Sequence, residues 1–345
     1  MSQHREFHDH MDTILPSPLR KGDTIGVISS SSPVASFCPR RLQRGVAELE
    51  RRGFKVKLGT FAASRYKHTA GTVRQRIADL HAMFADKEVK AIICTIGGYN
   101  SNQLLEHIDY DLIRAHPKIF MGYSDSTVLL NAMFVKTGLV TYLGPAVLPQ
   151  FGEPGGMLPF TWRHFEKVLM LPGDVEIDAS GEWTDECVRW DENDDHPRAM
   201  YPNEGLKVLR SGSGSGRLIG GNIGSLLLLS GTSFMPSFRG AILCLEEDET
   251  ETPASIDRLM MHVRHIGALK EIHGMIIGRA HGKQGFSPQD SFEDIILDAC
   301  EGYSFPIVMN FDFGHTDPML TLPIGGMCAM DTSGSPLLSI SCAHA

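Results

Sequence analysis

The sequence predicts an α/β protein of two domains, a first domain on a mostly parallel sheet and a second, smaller one after it. Three observations carry this. Short apolar runs alternate with amphipathic helical patterns over roughly the first 165 residues, the signature of right-handed βαβ crossovers. The alternation breaks between about 170 and 205 and then resumes. The length of 345 residues also exceeds what one ordinary core occupies.

The elements follow in order. Residues 25–28 (IGVI) form a buried strand, and 40–52 form a helix with Leu42, Val46 and Leu49 on one face, stopped by Gly53. Strand 56–58 precedes a helix over 72–86, where Val73, Ile77, Leu80 and Phe84 share a face. Strands 89–95 and 118–121 each run into a glycine and then a helix. Ligands in such sheets sit at the carboxyl ends of the strands, where those glycine turns lie. Residues 182–195 hold seven carboxylates, Trp183, Trp190 and a single arginine, the composition of an exposed connection or flap. Strand 206–209, a Ser/Gly turn at 211–216, and RLIGGN at 217–222 leading into an apolar helix come next. Strand 241–245, a helix over 255–269, strand 275–277, helix 291–301 and strand 307–311 follow. The expected organisation is an N-terminal arm (1–20), a first domain (21–168), an acidic connection (169–205) and a C-terminal domain (206–345).

Composition narrows the function classes. Hydrophobic residues at 42% and charged residues at 21% are ordinary globular usage, and the net charge of −9 disfavours a nucleic-acid-binding face. Seven scattered cysteines without a Cys-x-x-Cys pair read as reduced thiols, as expected of a cytoplasmic protein. No apolar stretch approaches a membrane span, and the polar start lacks the apolar run of a secretory signal. His4, His8 and His10 read as part of a frayed polar arm rather than as metal ligands.

The sharpest chemical feature is FMGYSDST at 120–127. A strand runs into a turn that carries Ser124 and then into a helix, so a nucleophilic hydroxyl would stand near the free N–H groups of the helix start. The competing reading makes Ser124 or Ser126 only an N-cap. TIGGYNSN at 95–102 occupies a second strand end, either as a ligand-approaching backbone or as an ordinary βα turn. His315, in GHTDP after strand 307–311, is the histidine that emerges at a strand end, while His107, His116, His262 and His265 read as surface residues. Glu246 and Glu247 cap a buried strand and are either solvated or paired with a functional group. SGSGSG at 211–216 lacks a following helix and reads as a join between strands, not a dinucleotide loop. The acidic run at 246–251 lacks the spacing of a metal site, so neither metal nor cofactor is expected.

Together, KGDTIGVISS (21–30), IGGYNSN (96–102), GYSD (122–125), LIGGN (218–222), LE (245–246) and GHTDP (314–318) make the chain resemble the LD-carboxypeptidase family of serine peptidases. Within it, the GGxNSN form resembles the microcin C immunity (MccF-like) branch. The resemblance implies a Rossmann/flavodoxin-like N-terminal domain, a C-terminal α/β domain around a small swivelling β-barrel, and a homodimer. It makes Ser124 the nucleophile, His315 the general base and Glu246 its orienting acid, chosen over Glu247 by alignment with Leu245. It gives the N–H groups of Gly98 and Asp125 as the oxyanion hole. Gly97, Asn100, Ser101, Asn222 and one of Trp183 or Trp190 become substrate-binding residues. The implied reaction is amide hydrolysis in a small peptide-like or peptidyl-nucleotide substrate, as in detoxification of microcin C-type antibiotics. The alternatives are removal of the terminal D-residue of murein tetrapeptide and, in another class, a non-catalytic small-molecule binding protein.

Overall fold

The computed structural model describes residues 12–192, 194–334 and 337–342. His4, His8 and His10 lie outside them. The described part of the arm is docked rather than frayed. Ile14 N–H donates to Gly138 O at 2.8 Å, Leu19 N–H donates to Leu169 O at 2.7 Å, and Leu19 is buried.

Among the described residues, sixteen strands alternate with helices. They are β1 (Thr24–Ile28), β2 (Lys55–Leu58), β3 (Val89–Cys94), β4 (Ile119–Gly122), β5 (Thr141–Leu143), β6 (Gly173–Ile177), β7 (Glu182–Trp183) and β8 (Tyr201–Pro202). The second half adds β9 (Lys207–Arg210), β10 (Ser213–Asn222), β11 (Ile242–Glu246), β12 (Gly274–Gly278), β13 (Ile307–Phe311), β14 (Leu322–Ile324), β15 (Met327–Asp331) and β16 (Leu338–Cys342). The first sheet has the order β14-β5-β4-β3-β1-β2, parallel from β5 to β2, with β14 antiparallel at its edge. The second has the order β6-β16-β15-β10-β11-β12-β13-β9, parallel only from β10 to β13. The protein is therefore α/β with a parallel-sheet N-terminal domain and a second sheet domain. Strands β1, β3, β4, β11 and β12 are almost wholly apolar and buried, as interior strands of a parallel sheet are, whereas the edge strand β2 is mostly exposed.

Helices begin where the sequence offers caps. Thr72 and Gln75 form a capping box at Val73–Ala85, and Asn222 caps Ile223–Leu227. The helix Thr127–Thr137, which follows the Ser124 turn, joins the two sheets. Asn131 Nδ2 donates to Gly220 O at 2.9 Å, and Asn222 N–H donates to Thr127 Oγ1 at 3.0 Å. A Cβ on Gly221 would stand 2.5 Å from Thr127 Oγ1, so only glycine lets helix and strand approach this closely.

Three expectations are corrected. The segment 169–205 is not all connection, because β6 pairs with β16 at the edge of the second sheet. Residues 206–345 do not stay in one domain, because β14 returns to pair with β5 of the first sheet. Most of SGSGSG is strand rather than turn, since β10 begins at Ser213. Its glycines serve close packing: a Cβ on Gly216 would lie 1.8 Å from Gly240 O.

Gly216→Ala is therefore expected to cost about 3 kcal/mol through overpacking, read as a lowered urea midpoint. Gly181→Ala, where a Cβ meets nothing within 4 Å, is expected to leave the midpoint unchanged. Equal midpoints for the two variants would contradict this packing.

Candidate active site

Ser124 stands two residues beyond β4 and opens the short turn Ser124–Ser126 with φ of +58°. That left-handed conformation is costly for a residue with a Cβ and lifts the side chain off the strand end. Its Oγ has no hydrogen-bond partner among the described residues. The side chain lies in the wall of a cavity of about 430 Å³ at the carboxyl ends of both parallel sets. Gly97 and Gly98 form the opposite lip. A Cβ on Gly97 would sit 2.8 Å from Ser124 Cβ, so glycine keeps the space above the hydroxyl open. The N–H groups of Gly98 and Asp125 donate no hydrogen bond among the described residues, which leaves two donors beside Ser124. The Asp125 carboxylate is turned away and accepts from Ser101 N–H at 2.8 Å.

His315 and Glu246 come from the second sheet. Glu246 ends β11, and the loop after β13 crosses the end of β12 to bring His315 over it. Two glycines permit the crossing. A Cβ on Gly278 would lie 2.4 Å from Phe313 O, and one on Gly314 would lie 2.7 Å from Glu246 Oε2. The result is a His315 Nδ1 to Glu246 Oε2 contact of 2.7 Å, with Glu246 fully buried. The Tyr123 ring meets the imidazole edge-on at 5.2 Å. Burial alone would depress the His315 pKa. The Glu246 carboxylate, reinforced by Asp248 and Glu249, outweighs it and pushes the pKa up to about 9. Glu247 points elsewhere. It accepts from Gly224 N–H at 2.5 Å and from Asn222 Nδ2 at 2.9 Å, and burial beside Glu246 raises its pKa to about 8.

The cavity brings together Ser124, His315, Gly97, Gly98 and Trp190 among the residues expected from the sequence. It does not bring in Asn222, which is buried and spent on Glu247 and on capping Ser225 N–H at 2.9 Å. Asn100 and Ser101 are also outside the lining. Their backbone N–H groups go to Ser31 Oγ and Asp125. Trp183 lies in β7 under the Arg279 guanidinium, 4.8 Å from its ring centre, while Trp190 faces the cavity with Arg41 stacked at 4.2 Å. Missed in the sequence were Arg41, Arg198, His281 and the exposed Tyr99, which also line the cavity. Tyr99 was visible in the glycine motif itself, whereas the arginines carried no local signal. Asp248 and Glu249 stand at the cavity with no lysine or arginine partner among the described residues. Among those residues no group of three or more His, Cys, Asp or Glu side chains has the geometry to hold a metal.

Residues 25–144 match the LD-carboxypeptidase N-terminal domain, and 215–330 match the LD-carboxypeptidase C-terminal domain. The chain is 35% identical over 321 residues to the microcin C7 self-immunity protein MccF of Escherichia coli, covering 92% of this chain and 93% of that protein. It is 34% identical over 324 residues to the "Probable murein peptide carboxypeptidase" of Bacillus subtilis, covering 92% of each. The structure of MccF in complex with glutamyl sulfamoyl guanosine superposes with a TM-score of 0.88 at 34% identity, over 94% of this chain and 98% of that one. MccF in complex with aspartyl sulfamoyl adenosine gives 0.87 at 35%, over 95% and 98%.

Were His315 to serve as the base it would have to be neutral to accept a proton, and its raised pKa would place the acid limb of kcat/KM on the alkaline side of pH 7. Activity is expected to rise with pH through that limb. Replacing Asp248 by Asn together with Glu249 by Gln removes two of the charges that hold it up and moves the limb downward while activity persists. A limb at the ordinary histidine value in both proteins would contradict this electrostatic picture.

Proposed function

The chain belongs to the LD-carboxypeptidase family of serine peptidases, and from that premise we propose that it hydrolyses an amide bond through Ser124, His315 and Glu246. The observation that carries the reading is the 2.7 Å His315–Glu246 contact opening on the same cavity as the left-handed Ser124. His315 takes the Ser124 proton as the oxygen attacks the carbonyl. Glu246 holds Nδ1 protonated, which leaves Nε2 free to act as the base. The N–H groups of Gly98 and Asp125 receive the developing oxyanion, each worth about 3 kcal/mol of barrier. His315 then returns the proton to the leaving amine, and water releases the acyl group by the same route.

For the substrate, the reading supported best is a small peptidyl nucleotide of the kind found bound to MccF, with Trp190 offering a stacking surface in the cavity wall. One observation favours a substrate with a free amine, which either reading supplies. The rim at Asp248–Thr250 presents carboxylates without a compensating lysine or arginine, which suits a substrate bearing an ammonium group better than a phosphate. The family resemblance further supports a homodimer acting in the cytoplasm. Among the described residues no helix is long and apolar enough to cross a membrane.

Assaying one preparation against an aminoacyl sulfamoyl adenosine and a murein tetrapeptide separates the two substrates. Cleavage of the tetrapeptide alone would overturn the peptidyl-nucleotide reading. Ser124→Ala is expected to lower kcat by about 10⁶-fold on whichever amide is cleaved. Full hydrolysis by that variant would end the triad assignment.

A further inference from the structure

Arg198 lies in the connection between the sheets, remote in sequence from every reacting group. Its guanidinium nevertheless reaches two buried carboxylates on different segments. Nε donates to Glu153 Oε1 at 2.8 Å, and Nη2 donates to Asp317 Oδ2 at 2.7 Å, with the three side chains 13%, 4% and 8% exposed. Asp317 is two residues beyond His315. Its backbone is paired on both sides with Thr184 of the connection, by Thr184 N–H to Asp317 O at 2.6 Å and Asp317 N–H to Thr184 O at 2.9 Å. Its second carboxylate oxygen accepts from Gln150 Nε2 at 3.1 Å, and Gln150 also reaches the hydroxyl of Tyr123, whose ring packs on His315.

We propose that Arg198 is a positioning residue for the hydrolysis: by clamping Asp317 to Glu153 of the first domain it sets where His315 stands relative to Ser124. The proposal rests on the Ser124–His315–Glu246 reading. The clamp needs a fork, because two acceptors on separate segments must be met by one planar group, and a lysine ammonium offers only a point charge. It is also balanced. Arg41 bonds the other oxygen of Glu153 at 2.6 Å and pairs with Asp194, which Arg44 pairs as well. Three arginines thus face three carboxylates, and loss of Arg198 leaves Glu153 and Asp317 facing each other without their shared cation. Arg41 is also the group stacked on Trp190, so the wall that meets substrate and the loop that carries the base share one charge network.

The test uses the full chain as wild type, Arg198→Gln, Arg198→Lys, Asp317→Asn and the double variant R198Q/D317N. Steady-state kinetics on the amide that the wild type cleaves are set beside the rate at which a fluorophosphonate labels Ser124, with thermal melting alongside. A displaced base costs about 10- to 100-fold. Arg198→Gln is expected to lose that factor in kcat with KM nearly unchanged, and to be labelled correspondingly more slowly. Arg198→Lys is expected to recover part of it, Asp317→Asn to match Arg198→Gln, and the double variant to be no worse than either single one. Asp317→Asn keeps an amide oxygen to accept from Gln150, and Arg198 keeps its bond to Glu153, so it carries the test if Arg198→Gln does not fold. Wild-type kcat in Asp317→Asn, losses that multiply in the double variant, or a loss confined to KM would overturn the proposal. A wild type that neither labels nor hydrolyses would overturn the triad reading, and the Arg198 proposal with it; a labelled wild type with unaffected variants would overturn the Arg198 proposal alone.

Discussion

Asn131, buried in the helix that leaves the Ser124 turn, is bonded to both backbone groups of Gly220, and this contact fixes how one sheet's strand ends face the other's. Its Nδ2 donates to Gly220 O at 2.9 Å, and its Oδ1 accepts from Gly220 N–H at 3.4 Å. Both partners are sealed from water, so an unmade bond there would cost about 1–3 kcal/mol. The Ser124 turn starts this helix, and β10, which carries Gly220, is the parallel neighbour of β11, which ends in Glu246. Register across the seam therefore becomes geometry at the cavity. The Gly-Gly-Asn stretch at 220–222, in which the family resemblance implied a substrate-binding role for Asn222, does structural work at this seam.

The acidic balance of the chain takes on a specific distribution. Asp194, Glu153 and Asp317 are buried and matched by Arg44, Arg41 and Arg198. Asp248 and Glu249 are left at the cavity, where their field acts on His315. The connection is thus partly a neutral, bonded strap across the site rather than a solvated loop. Of its other carboxylates, Asp185 and Glu186 line the cavity.

Much of this was legible beforehand, for identifiable reasons. Strands β1, β3, β4, β11 and β13 are short apolar runs bounded by polar or glycine residues, and burial on both faces writes that pattern directly into the sequence. Ser124 and His315 were found because each follows such a run on a punctuated turn, the place where a parallel sheet exposes side chains. Strands β6, β15 and β16 were missed because they are antiparallel elements with alternating or polar faces, and β14 because three residues carry no period. Glu246 was favoured over Glu247 through the family resemblance, and it is Glu246 Oε2 that stands 2.7 Å from His315 Nδ1, while Glu247 bonds Gly224 and Asn222. Arg198 was invisible for a different reason: its partners lie 45 and 119 positions away, and a lone arginine near acidic residues looks like solvated surface.

The central claim is that Ser124 and His315 act as one unit across the seam between the sheets. A kinetic cycle of Ser124→Ala, His315→Ala and the double variant on one cleaved amide tests it most directly. Groups that share a single proton transfer are lost together, so the account predicts that the double variant retains the same residual rate as either single variant. Losses that multiply would show that the two residues act independently and would contradict it.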